Sequence, residues 1–131
     1  MRAVDTNVLV RALVQDDVAQ ARRAMDCISA EPVYVPVTVI LELEWVLRSR
    51  YGYSPKAIAD AMEKLAILEN AVIGEQAAVV SAAGKIRQGW DFADALHHAL
   101  AAGCDSFATF DTHLAKRAGR DVSTAPPVIA I

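Results

Sequence analysis

The chain has 131 residues, which is one domain's worth, because a division into two would leave neither half enough interior. With 54% apolar and 22% charged residues it has the composition of a folding chain and is excluded from the disordered or acidic solvating classes. The 13 Lys and Arg against 16 Asp and Glu give a net charge of -3, so there is no globally basic footprint, although scattered arginines can hold phosphates once a cation neutralises gathered carboxylates.

Residues 1–4 are predicted to form a short strand, and Asp5-Thr6-Asn7 supplies capping side chains for a helix whose apolar stripe is Val8, Leu9, Ala12 and Leu13. A second helix is expected from Asp17 to about residue 29, with Ala21, Ala24, Met25 and Ile28 on one face. Val33-Tyr34-Val35 is the second strand, ended by Pro36; Thr38 then caps a third helix through Val39, Ile40, Leu43, Val46 and Leu47, closing at Tyr51-Gly52. Ser54 followed by Pro55 is a cap with proline at the first helical position, opening a fourth helix to about residue 69. Ala71-Val72-Ile73 is a third strand, followed by an Ala-rich helix to Gln88 and by another helix from Asp91 to Ala102 that Gly103 stops. A fourth strand at 106–109, a last helix at 111–118 and a terminal strand at 128–131 complete an alternation that predicts a mostly parallel sheet flanked by helices.

No apolar run approaches the ~18 residues of a bilayer span, because Glu42 and Glu44 interrupt the longest one, and residues 1–5 lack a signal-peptide layout. A soluble cytoplasmic protein without membrane engagement is expected. Cys27 and Cys104 have no CxxC spacing, so neither a zinc site nor a disulfide framework is supported.

The acids carry the chemistry. Asp5 and Asp111 each follow a strand and open a helix, which places both at the carboxyl edge of a parallel sheet, where open α/β folds bind their ligands. Asp94 lies in the first turn of its helix, one turn after Asp91. Glu42 has Thr38, Val39, Trp45 and Val46 as helical neighbours and no local Lys or Arg, whereas Glu44 has Arg48 four residues on. Glu42 is therefore read as an acid kept for a purpose and Glu44 as a surface ion pair. Unpaired acids at several sheet-edge positions repel one another unless a cation sits among them, and an all-oxygen donor set points to Mg²⁺ or Mn²⁺. His97 and His98 lack the HExxH spacing and read as helix-surface or half-buried packing residues, and Trp45 and Trp90 read as core. Most of the arginines read as solvated faces, and Arg11, one turn from Asn7, is the best phosphate-contact candidate.

Four segments, Val4-Asp5-Thr6-Asn7-Val8-Leu9, Leu41-Glu42-Leu43-Glu44-Trp45-Val46-Leu47, Asp91-Phe92-Ala93-Asp94-Ala95-Leu96 and Ala108-Thr109-Phe110-Asp111, together resemble the signature blocks of PIN-domain ribonucleases. Their order and spacing are most similar to the VapC toxins of bacterial toxin-antitoxin pairs, and the resemblance covers essentially the whole chain. It implies a single PIN-like domain over residues 1–131, a three-layer α/β/α arrangement with a central parallel sheet in which the first strand lies beside the fourth. It also implies a Mg²⁺-dependent endoribonuclease, with Mn²⁺ as a substitute metal. Carried over by residue, the family's catalytic and metal-binding acids fall on Asp5, Glu42, Asp94 and Asp111, with Thr6, Asn7 and Thr109 as polar support and Asp91 as an accessory acid. The partners implied are the RNA substrate, a VapB-like antitoxin that inserts a basic side chain near the acidic pocket, and a second copy in a homodimer.

Two other classes compete. A phosphatase of the haloacid dehalogenase type has a strand followed by a DxDx[TV] loop, but Asn7 stands where the second Asp must act as general acid. A non-catalytic interaction module would use the same acids only to bind a partner's arginines. A nuclease assay with and without Mg²⁺, and turnover of a small aryl phosphate, separate the three.

Overall fold

The computed structural model describes residues 1–120 and 125–131. Five strands, β1 (Arg2–Ala3), β2 (Val33–Val35), β3 (Ala71–Ile73), β4 (Phe107–Thr109) and β5 (Val128–Ala130), alternate with seven helices among these residues. The helices are α1 (Thr6–Val14), α2 (Val18–Ala30), α3 (Val37–Tyr51), α4 (Pro55–Ala66), α5 (Gln76–Ile86), α6 (Phe92–Leu100) and α7 (Thr112–Ala118).

All strand pairs are parallel, as the alternation predicts. β2 lies between β1 and β3, with Arg2 opposite Val33 and Val33 opposite Ala71, while β4 pairs with β5 through Phe107 opposite Val128. The expected neighbourhood of the first and fourth strands is not realised as a ladder. Among the described residues β1 is hydrogen-bonded only to β2 and β4 only to β5, so the parallel sheet is in two pieces. Strand length is the reason. β1 has two residues, its extension at Val4 donates to the Tyr34 carbonyl at 3.1 Å, and the chain turns into α1 at Thr6, which leaves no edge for a second partner.

In β2 and β3 the side chains alternate, with Val33, Val35, Ala71 and Ile73 buried and Tyr34 and Val72 outward. α1 packs on α2 and α3, α5 packs on α4 and α6, and α3 joins the two groups through its contacts with α4 and α6. The core centres on Ile40, Leu43 and Leu47 of α3, with Val33, Val35, Met62, Val79 and Leu96 around them, all essentially without solvent contact. Such complete burial of large aliphatic side chains is the main favourable term in the fold. No helix among the described residues is long and apolar enough to cross a membrane.

Side-chain caps place the helix starts, at Asp5 and Ser54 as predicted and also at Asp17, Asp91 and Asp111, which the sequence marks as helix openings. Each accepts a hydrogen bond from a backbone N–H at the opening of α1, α4, α2, α6 and α7 respectively, satisfying donors that have no partner within the helix. Gly52 ends α3 with φ of 65°, a left-handed conformation that glycine adopts without steric cost. Thr38 is not a cap. α3 starts one residue earlier, Pro36 stands at its N-terminal boundary without a side-chain bond, and Thr38 lies exposed in the first turn. The proline ring fixes φ, here -58°, and its missing N–H costs nothing ahead of the helix; Val39 and Ile40 both donate to Pro36 O.

Candidate active site

The four principal acids stand at helix openings or on an exposed helix face, and the structure divides them between two places. At the first, Asp5 follows β1 and receives the Thr6 N–H at 2.7 Å, while the Thr6 hydroxyl, itself buried, donates to Glu42 Oε1 across to α3. Thr6 thus ties the carboxylate of Glu42 to the start of α1. Both Asp5 and Glu42 are exposed.

At the second, Asp91, Asp94 and Asp111 line a cavity of about 220 Å³ between the openings of α6 and α7, together with His113 and Arg117. Asp91 Oδ1 accepts from the Asp94 N–H at 3.0 Å, which fixes the first turn of α6. Asp111 Oδ1 accepts from the N–H groups of His113 and Leu114 at 2.9 and 3.1 Å, and its own N–H donates to Thr109 Oγ1 at 3.0 Å. Thr109 therefore supports the turn that carries Asp111. Partial burial pushes the Asp94 carboxyl above its ordinary value, the like charges of Asp91 and Asp111 push it further, and only His97 acts in the opposite sense. None of Asp5, Glu42, Asp91, Asp94 and Asp111 is in an ion pair among the described residues.

A divalent metal finds the right donor chemistry here. The donors are hard carboxylate oxygens without a thiolate, and the like charges of Asp91 and Asp111, which add to the burial that raises Asp94, are what a cation would relieve. Among the described residues no three such side chains converge closely enough to form a finished metal cluster. Asn7 belongs to neither place. It lines a separate groove with Arg11, Gln20 and Arg23, and Arg11 is engaged there by Asp16 at 3.1 Å.

Several sequence expectations are corrected. Glu44 is buried at 4% exposure, so it is not a surface ion pair, although its bond to Arg48 is present. The physical cause is the stripe Ile40, Leu43, Glu44, Leu47, an i, i+3, i+4, i+7 pattern that turns Glu44 inward with its apolar neighbours. The same geometry puts Trp45 outward at 50% exposure, on the side of the helix that also carries Glu42, so Trp45 is not core; Trp90 is. His98 is a packing residue, fully buried, stacked on Trp90 and edge-on to Phe107, with Nε2 2.7 Å from the Pro126 carbonyl oxygen. At the acid cavity His113 goes unread in the sequence and Arg117 is grouped with the scattered arginines of solvated faces; the signal is available, because they lie two and six residues after Asp111 and one helical turn from each other.

The PIN domain family model matches residues 2–120. The chain belongs to the PIN domain family. No curated protein and no solved structure gives a significant match. PIN domains are generally metal-dependent nucleases, so membership points to nuclease activity in general for this PIN domain.

Proposed function

We propose that this PIN domain is a Mg²⁺-dependent endoribonuclease, the VapC-type toxin of a type II toxin-antitoxin pair, acting in the cytoplasm as a homodimer and inhibited by a VapB-like antitoxin. The single observation that carries the nuclease part is the gathering of Asp91, Asp94 and Asp111 about one cavity, none of them in an ion pair among the described residues, with the Asp94 carboxyl raised by burial and then by the charges of Asp91 and Asp111. The toxin part rests on the order and spacing of the four sequence blocks.

Asp5, Glu42, Asp94 and Asp111 would hold the metal, Mg²⁺ or Mn²⁺. When bound, the metal supplies acidification of a water and neutralisation of charge on the leaving oxygen. The chain's own residues set the geometry. Thr6 holds Glu42, Thr109 holds the turn of Asp111, and Asp91 holds the backbone of Asp94. Attack of water on phosphorus needs no 2′-hydroxyl, so the products carry 5′-phosphate and 3′-hydroxyl ends.

Incubation of the purified protein with RNA in Mg²⁺ and in EDTA tests the nuclease assignment; no cleavage in Mg²⁺, or cleavage that EDTA does not stop, would refute it. Expression alone should arrest growth, and co-expression with the neighbouring reading frame should restore growth and give a co-purifying complex. Harmless expression of folded, RNA-cleaving protein would remove the toxin role and leave the nuclease.

A further inference from the structure

The pair on the inner and outer sides of α3 has no part in the reading above. Glu44 is buried, and both of its carboxylate oxygens accept from Arg48 Nε, at 3.1 and 3.2 Å. A carboxylate taken out of water loses hydration that one ion pair only partly returns, and an apolar side chain of similar volume generally serves stability as well or better. The placement therefore asks what Glu44 does for Arg48.

The geometry answers. Capture of Nε by both oxygens anchors the guanidinium at that nitrogen and leaves the Nη1 and Nη2 edge outside the pair, where no hydrogen bond engages it among the described residues. The Arg48 side chain is 52% exposed while that of Glu44 is 6% exposed, so the anchor is inside and the donor edge is at the surface. Arg48 and Glu44 border a small cavity with Ile58, Phe92, Trp90 and Asp91, and the last two also border the acid cavity. Arg48 thus borders the cavity that shares Trp90 and Asp91 with the acid cavity, and it is close enough to Asp91 for their charges to interact. An exposed, pre-oriented guanidinium edge offers the planar donor fork that phosphate accepts, with less side-chain freedom left to lose on binding.

We propose that Arg48 binds a backbone phosphate of the nucleic-acid substrate beside the acid cavity and that Glu44 is the positioning residue that holds it there. The proposal rests on the ribonuclease reading. It differs from a counter-ion role, in which Arg48 exists only to neutralise Glu44.

Binding of a labelled single-stranded RNA in EDTA over a range of salt, and steady-state cleavage of the same RNA in Mg²⁺, separate the two for wild type, Arg48→Ala, Arg48→Gln, Glu44→Gln and the double variant Glu44→Gln/Arg48→Ala. Loss of one phosphate contact should weaken binding about tenfold and reduce the slope of log affinity against log salt by about 0.7. A contact made equally before and during reaction should raise KM and leave kcat nearly unchanged. Glu44→Gln should weaken binding less, and the double variant should bind no more weakly than Arg48→Ala. Arg48→Gln keeps most of the side-chain stem and reports the same loss should Arg48→Ala not fold. Folded Arg48 variants with the wild-type salt slope and KM would establish a counter-ion only and overturn the proposal, while Mg²⁺-dependent cleavage by the wild type keeps the ribonuclease reading. A wild type that neither binds nor cleaves RNA would overturn both.

Discussion

Two acidic groups of this molecule behave in opposite ways. On the surface between α4 and α5, Asp60 and Glu63 share Arg87, at 2.7 and 2.9 Å, and the bond from Arg87 holds the Asp60 carboxyl below its ordinary value. At the openings of α6 and α7, Asp91, Asp94 and Asp111 face one another without an ion pair, and the Asp94 carboxyl is held above its ordinary value. The residue types are the same, and the difference is the ion pair. The α4–α5 acids are bonded by Arg87, whereas the α6–α7 acids have no ion-pair partner among the described residues, and Arg117 at their cavity donates to the Gly89 carbonyl instead. Perturbation by burial and like charges, unlike perturbation by a bonded arginine, is the pattern expected where a ligand would do the balancing.

The largest expected consequence is on catalysis. Asp94→Asn keeps the size of the side chain and removes one donor charge, so RNA cleavage in Mg²⁺ should fall by at least about a hundredfold, more than the usual loss for residues one step removed from a metal. Glu63→Gln, which removes a charge from the group already balanced by Arg87, should cleave at close to the wild-type rate. Equal activity of Asp94→Asn and wild type would erase the contrast between the two groups.

Next in size is the response to metal. A cation that binds only the folded chain stabilises it by about 2.7 kcal/mol at a hundredfold excess over Kd, which for a domain of this size raises Tm by roughly 8 °C. Wild type and Glu63→Gln should both show this rise between EDTA and saturating Mg²⁺, and Asp94→Asn and Asp5→Asn should show much less. Identical shifts in all four proteins, or none in any, would leave the acids as helix caps alone.

How far these groups were legible in the sequence depends on the range of the forces involved. Strands 33–35 and 71–73, the capping roles of Asp5 and Ser54 and the helix openings at Asp17, Asp91 and Asp111 follow from local alternation and from single side chains meeting nearby backbone donors, and they are found where the residues put them. The inward turn of Glu44 was open to the same kind of reading, but its i+4 arginine satisfied a purely local account. The walls that cover it, Ile58, Ile86 and Phe92, come from three other helices, and a local pattern does not report them. The division of the acids follows the same rule. Placing Asp111 beside Asp94 requires α7 to return onto the start of α6, and the absence of a β1–β4 ladder among the described residues depends on strand lengths of two and three residues, below what propensity resolves.

The smallest effect concerns stability without metal, and it tests the contrast by sign. The Asp94 carboxyl is raised above 3.8 in the folded chain, first by burial and then by Asp91 and Asp111, so the folded state holds that proton more tightly than the unfolded state does. Below the unfolded value both states are protonated at residue 94 and its favourable contribution is fully present; as pH rises through the folded value that contribution is lost. In EDTA at pH 7 the ionised Asp94 therefore costs stability, and Asp94→Asn should melt higher than wild type by roughly 1 to 3 °C. The rise is small because a carboxylate in the first turn of α6 is also favoured by the helix dipole, by about 0.3 to 1 kcal/mol, which the substitution gives up. The advantage should vanish as pH falls below the unfolded value. Asp60 is held below 3.8 by Arg87, so its contribution is present at pH 7 and lost as pH falls through its folded value. Asp60→Asn should accordingly melt slightly lower than wild type at pH 7 and converge with it in acid. Melts of the two variants against wild type from pH 3 to pH 7 in EDTA decide the matter, since shifts of the same sign at pH 7 would mean that the two acidic groups do not differ in the way their surroundings indicate.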